Sequence, residues 1–297
     1  MAPDSASSPG VGEVNLPSIP LYRRGKVRDT FDLGDRLLMV STDRISAFDS
    51  VLPTLIPDKG RVLTAMSRYW FRKTADLVPN HLRADDPKAL PPGTMDTIDG
   101  RAMFVAKAER IDVECVVRGR LAGSGWQEYS TVGTLAGEPV PSGLSFGGEL
   151  PELRFTPATK NDHGHDENIT RGQLAHLVGN ELARRLEEFS IRIFRLAQVH
   201  CLESGFVLVD SKFEFGFIDG SLALIDELIT PDSSRLWEQG AASGEAPYGF
   251  DKQPVRDYLI ESGWSREPPA PALPDDLVRE TRHRYLEASR RITGQDL

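Results

Sequence analysis

At 297 residues the chain is long enough for one large or two medium domains, and 39% hydrophobic with 27% charged residues is an ordinary globular composition. A net charge of −9 excludes a general nucleic-acid binder but leaves room for a local basic pocket that takes a small anion. Two cysteines, Cys115 and Cys201, are too few for a disulfide framework, and no apolar run approaches the roughly 20 residues of a membrane span. The expectation is a cytoplasmic protein with no nucleic-acid or membrane partner.

The opening stretch is rich in Pro, Ser and Gly, with neither a basic start nor an apolar centre. Residues 1–18 therefore read as a disordered leader and not as a signal peptide. A strand is expected from Leu21 to Phe31, a turn at Gly34-Asp35, and a return strand over Leu37–Val40. Gly25, flanked by Arg24, Lys26 and Arg28, suits a backbone that approaches phosphate beside cations, although no Walker loop occurs anywhere in the chain. Residues 41–49 read as a polar loop, and 61–77 as an amphipathic helix with Val62, Met66, Tyr69, Trp70 and Lys73 at helical spacing.

Residues 85–93 are proline-rich loop, 101–108 strand-like, and 109–112 a connector. Val113–Arg118 is a strand running into Gly119–Gly125 and a helix from Trp126. Two arginines before a glycine-serine turn at a helix start make an anion site on paper. Residues 131–152 read as an irregular excursion. The cluster His163, His165, Asp166, Glu167 matches no standard zinc spacing and reads as polar loop. Thr170-x-x-Gln173 is a capping box. The helix after it, Asn180 to Ser204, repeats apolar residues at Leu182, Leu186, Phe189, Ile193, Leu196 and Val199.

Leu208–Trp237 organises the rest. Asp210, Lys212 and Glu214 alternate with Phe213, Phe215 and Phe217, and Asp219-Gly220 turns into a return strand over 222–229. Carboxylates facing each other across a hairpin repel unless a cation lies between them, and nucleotide-bound Mg²⁺ is the candidate. A two-residue turn would bring Glu227 to the Glu214 face, and a three-residue bulged turn would bring Asp226, so the residues leave both open. Residues 240–249 are linker-like, and helices follow near 254–262 and 275–292.

Several stretches in order resemble the SAICAR synthetase (phosphoribosylaminoimidazole-succinocarboxamide synthase) family. They are Arg24–Asp29, Asp43–Asp49, Glu114–Arg118 with Gly123-Ser124, Phe155–Lys160 with His165–Asn168, Asp210–Gly216, and Asp226-Glu227 with Thr230–Trp237. The similarity is to the single-function form, without a fused carboxylase domain. It implies an α+β fold in which an N-terminal antiparallel sheet lobe, like a protein-kinase small lobe, packs on a larger α/β lobe with an ATP cleft between them. The implied boundaries are 19–112 and 113–297, the second carrying the C-terminal helices.

The implied activity is an ATP-dependent ligase joining L-aspartate to 5-amino-1-(5-phosphoribosyl)imidazole-4-carboxylate (CAIR), with a small-molecule kinase as the alternative. Under this resemblance Gly25, Lys26, Arg28, Lys107 and Glu109 meet ATP. Glu214 and Asp226 hold Mg²⁺, Asp226 being favoured over Glu227 and hence the bulged turn. Arg118, Ser124 and Arg235 bind the phosphoribosyl phosphate, and Asp210 a polar group of CAIR. Lys160 and Lys212 act at the transferred phosphoryl, and Ser46 and Lys59 are assigned to the aspartate pocket. Asp112 departs from the proline common at that point of the pattern, which shifts weight onto backbone contacts there. A monomer is the expected state.

Overall fold

The computed structural model describes residues 10–160, 167–240 and 248–297. The His163/His165/Asp166 part of the polar cluster lies outside them. The chain forms two compact units. The first takes the described residues up to Tyr69, His81–Lys107 and Asp251–Leu297; the second takes Trp70–Asn80 and Ala108–Phe250.

In the first unit, β1 (Leu21–Arg24), β2 (Arg28–Asp32) and β3 (Arg36–Ser41) are followed by a separate hairpin of β4 (Arg44–Ala47) and β5 (Ser50–Leu55). Then come α1 (Lys59–Lys73), whose last residues from Trp70 group with the second unit, the short α2 (Thr94–Ile98) and β6 (Ala102–Ala106). The sheet order is β1-β2-β3-β6. Two departures from expectation shape this unit. The strand expected over 21–31 is broken at Gly25-Lys26-Val27 into a hairpin closed by Gly25 N–H donating to the Arg28 carbonyl at 2.7 Å. The polar stretch 41–49 makes a strand, because Ile45 and Ala47 alternate inward, and it turns on Phe48 and Asp49 at φ 49° and 63°.

The leader expected over 1–18 is corrected from residue 10 onward. Val14, Leu16 and Ile19 are buried in one core with Phe31, Leu38, Val40 and Phe104. The backbone there is tied by Val11 N–H to Asp43 at 2.7 Å and Val14 N–H to Asp29 at 2.9 Å. Buried backbone donors need such partners, and here Asp29 of β2 and Asp43 between β3 and β4 supply them.

The second unit begins its sheet with β7 (Glu109–Arg120), one continuous strand that absorbs the expected connector 109–112. It continues through α3 (Gly123–Val132), the small hairpin β8 (Thr134–Leu135) and β9 (Glu138–Pro139), β10 (Glu149–Phe155) and β11 (Ala158–Thr159). Next are α4 (Arg171–Val178), α5 (Asn180–Glu203), β12 (Phe206–Ile218), β13 (Ser221–Ile225) and β14 (Ser234–Glu238). The sheet runs β10-β7-β12-β13, with β11 on β7 and β14 on β12, and every ladder among the described residues is antiparallel. The capping box forms as expected: Thr170 accepts from Gln173 N–H, and the Gln173 side chain accepts from Thr170 N–H. The α5 helix also forms, with its buried face along Ala183, Leu186, Ser190, Ile193, Ala197 and Cys201, while Val199 is exposed. Phe194, buried on the same side, lies against Gly119 of the sheet.

The last helices, α6 (Gln253–Glu261) and α7 (Asp275–Thr293), group with the first unit, where the sequence places them after residue 113. The reason is apolar: Val255, Leu259 and Leu273 share a core with Ile45, Ala47, Leu52 and Ile56. Arg282 adds an ion pair to Asp58 at 2.6 Å.

Candidate functional site

The two faces of the β7–β12 ladder differ in chemistry. One lies under α5, where Cys115 bonds Ser190, Phe213 is fully buried, and Gly119 lies against Phe194. The other face collects the charge. Register places Glu114 opposite Glu214, and Arg118 opposite Asp210, which in turn faces Arg235 on β14. Residues directly opposite share a face, as do residues two apart, so Glu114, Arg118, Asp210, Lys212 and Glu214 all project on one side.

These residues form two clusters. In the first, the Lys212 ammonium is 2.6 Å from Glu114 and 3.4 Å from Glu214. Lys160, just after β11, donates to Glu214 in a short contact and lies 3.4 Å from Glu114. Burial alone would depress the Lys212 ammonium, but Glu214, Glu114 and Asp226 outweigh it and hold it above the usual lysine range. In the second cluster, Arg118 Nε donates to Thr156 Oγ1 at 3.0 Å, Nη1 to Asp210 at 3.3 Å and Nη2 to Ser124 Oγ at 3.2 Å. Arg235 donates to the same Asp210 oxygen at 2.6 Å. Burial lowers Arg118, Asp210 opposes that shift, and the neighbouring Arg235 adds to it.

The α3 start is shaped around this pair. Gly123 sits at φ 53°, and a Cβ there would lie 2.1 Å from the Arg235 guanidinium. Only glycine admits that approach without displacing the arginine.

The hairpin register corrects one expectation. Ile218 pairs with Ser221, so Asp219-Gly220 is a two-residue turn with both φ positive, and Glu214 pairs with Ile225. The bulged turn is absent. Asp226 still reaches the lysine cluster, because the chain leaves the ladder there at φ 69°, in the left-handed region. Glu227, buried, accepts instead from the Thr230 hydroxyl.

In the first unit, Gly25, Lys26 and Arg28 sit on one hairpin. Arg44 holds its tip by donating to the carbonyls of Gly25 and Lys26, each at 3.0 Å, and Lys26 pairs with Asp49 at 2.6 Å. Lys107 pairs with Asp32 at 2.7 Å, which holds that carboxyl below its usual range. Ser46 lies on β4, and Lys59 is fully buried at the start of α1. Glu109 is exposed at the first position of β7, in the second unit.

A family model described as SAICAR synthetase matches residues 21–271. The phosphoribosylaminoimidazole-succinocarboxamide synthase of Syntrophobacter fumaroxidans is 46% identical over 298 residues, covering 99% of each chain. The chain belongs to the SAICAR synthetase family.

A solved SAICAR synthase from Saccharomyces cerevisiae, complexed with SAICAR, is 37% identical with a TM-score of 0.87, covering 97% of this chain and 99% of that one. A SAICAR synthetase in complex with ADP, 23% identical, shares the fold at a TM-score of 0.69, covering 93% and 98%. Membership in the SAICAR synthetase family makes the protein an ATP-dependent ligase of purine biosynthesis that joins L-aspartate to CAIR. It also fixes the fold class as α+β with antiparallel sheets. Two members of the charged face escape the motif reading. Glu114 and Thr156 lie inside matched stretches, but neither is singled out there. Strand parity finds Glu114, four residues from Arg118 on the same face.

Proposed function

We propose that the two clusters hold the two ends of CAIR and that the ligase reaction runs through an acyl phosphate. What carries this reading is the shared face. The arginine cluster and the acid–lysine cluster are four residues apart on β7 and β12, roughly 13 Å at strand rise. That is of the order a phosphoribosyl imidazole carboxylate spans. Arg118, Ser124 and Arg235 suit the phosphate end. Asp210, expected at a polar group of CAIR, spaces the two guanidinium groups and keeps them from repelling one another.

At the other end, a carboxylate is a poor acyl donor until its oxygen leaves as phosphate. A CAIR carboxylate oxygen attacks the γ-phosphorus of ATP and ADP departs. The neutral aspartate amine then attacks the acyl carbon, phosphate leaves with the transferred oxygen, and the amine proton passes to solvent. Lys160 and Lys212 neutralise the phosphoryl oxygens. Lys212 stays an ammonium, so it serves as a cation and not as a base. Gly25, Lys26 and Arg28 take the ATP phosphates, Lys107 and Glu109 border the nucleotide, and Ser46 and Lys59 belong to the aspartate pocket.

Mg²⁺ fits the donor set. No three His, Cys, Asp or Glu side chains among the described residues form a ready metal cage. Mg²⁺ characteristically binds one or two carboxylates and completes its shell with phosphate oxygens and water. Glu214 and Asp226 are hard donors, and the Lys160 ammonium against Glu214 marks where positive charge is accepted. Bound there, the ion would offset phosphate charge.

The working unit is taken to be a monomer, with both clusters drawn from β7, β12 and their neighbours in one chain. Free, buried Cys115 and Cys201 accord with a reducing cytoplasm. No helix among the described residues is long and apolar enough to cross a membrane. The test uses CAIR labelled with ¹⁸O in its carboxylate: one label should appear in released phosphate, and unlabelled phosphate would rule out the acyl phosphate.

A further inference from the structure

Glu114 has no role in the chemistry above, yet it is buried and touches both lysines. Its position is unusual. It stands directly opposite Glu214, and like charges facing each other across a ladder destabilise it unless something lies between them. Here the two ammonium groups do, one nearer each acid: Lys212 on the Glu114 side, Lys160 on the Glu214 side.

That arrangement creates a conflict for Glu214. Both ammonium groups lie against Glu214 Oε1, where they compete with a divalent cation for that carboxylate. They must move aside without leaving the site, since the phosphoryl group still needs them. We propose that Glu114 is the alternative seat for both ammonium groups, the positioning residue that lets Glu214 release them and accept a divalent cation. This rests on the reading of Glu214 as a cation ligand. The distances make the exchange short. Lys212 is already on Glu114, and Lys160 is 3.4 Å from it, so a side-chain rotation suffices.

Charge supports the same exchange. Glu114, Glu214 and Asp226 carry three formal negative charges against two from Lys160 and Lys212. A divalent cation therefore enters a site with one unit of surplus negative charge. Without Glu114 the same cation would enter a neutral site and compete with both lysines for Glu214.

The test measures cation binding without turnover. Mn²⁺ is titrated into the protein with a non-hydrolysable ATP analogue, and free Mn²⁺ is read by electron paramagnetic resonance. Glu114→Gln should weaken Mn²⁺ by about tenfold, the scale of one charge contact in a partly buried site. Glu114→Asp, which keeps the charge, should recover most of that affinity. Thermal melting of both variants reports folding. Wild-type Mn²⁺ affinity in a folded Glu114→Gln protein overturns the proposal, as does an equal loss in Glu114→Asp. Glu214→Gln is the control for the underlying reading: if it binds Mn²⁺ as wild type does, Glu214 is not a ligand and the cation site itself is misplaced.

Discussion

Glu214 and Glu114 face each other across β12 and β7, two buried carboxylates kept together by the ammonium groups of Lys160 and Lys212. Removing one charge from such a set should disable the chemistry before it disables the fold, because the neighbouring strands are held by ladder bonds and by the apolar face under α5.

Glu214→Gln should therefore lower kcat by roughly 10²–10³-fold, the scale seen when one charge-stabilising group is lost from a phosphoryl or acyl site. Circular dichroism should be unchanged. Steady-state rates decide it: full turnover would remove Glu214 from the reaction.

Arg118→Ala should raise KM for CAIR by about 10²-fold, since truncating a buried, hydrogen-bonded charge costs on the order of 2–5 kcal/mol. KM for ATP should move little. Equal effects on both substrates would contradict the assignment of this cluster to the phosphoribosyl phosphate.

Gly123→Ala tests the close approach of Arg235. The left-handed backbone costs a non-glycine residue about 1–2 kcal/mol, and the new methyl must push the guanidinium aside. The expected result is a modestly lower melting temperature with a raised KM for CAIR. An unchanged KM would mean that Arg235 does not need its present position.

His81 gives a pH signature in the first unit. Burial, then the positive charges of Arg28 and Arg83, push it down to about 3. The folded state thus binds fewer protons than the unfolded chain between about 6.5 and 3, so stability is full above that window and falls as pH drops through it. Across the whole window the loss is at most about 5 kcal/mol. Denaturant melts over this range should show a shallower acid slope in His81→Gln. An identical slope would show that His81 does not drive it.

Val14→Ala should destabilise the protein by about 1–3 kcal/mol, the usual range for removing buried methyl groups, when unfolding is followed in urea. A disordered leader would give no change.

That last prediction shows where the sequence was a poor guide. The Pro, Ser and Gly of the opening stretch suggest a leader, but only long-range contacts reveal that Val14 and Leu16 meet Phe31 and Leu38. Helix α5 is legible from its apolar repeat, and the capping box fixes the start of α4. What a helix buries its stripe against is not a local property, so the pairing of α6 with the β4–β5 hairpin is invisible in the chain. The charged face of β12 is legible from alternation alone. That Glu114 stands opposite Glu214 is not, because register is set by bulges such as the one between Glu214 and Gly216. Asp226 arrives by a left-handed residue, where alternation allows only a bulge.

The grouping of Asp251–Leu297 with the first strands has a consequence for synthesis. Domains form as the chain emerges, amino end first. Here Ile45 and Leu52 wait for Val255, Leu259 and Leu273, which leave the ribosome long after them. The sheet bearing the two charged clusters can therefore assemble while the part of the protein made earliest is still incomplete.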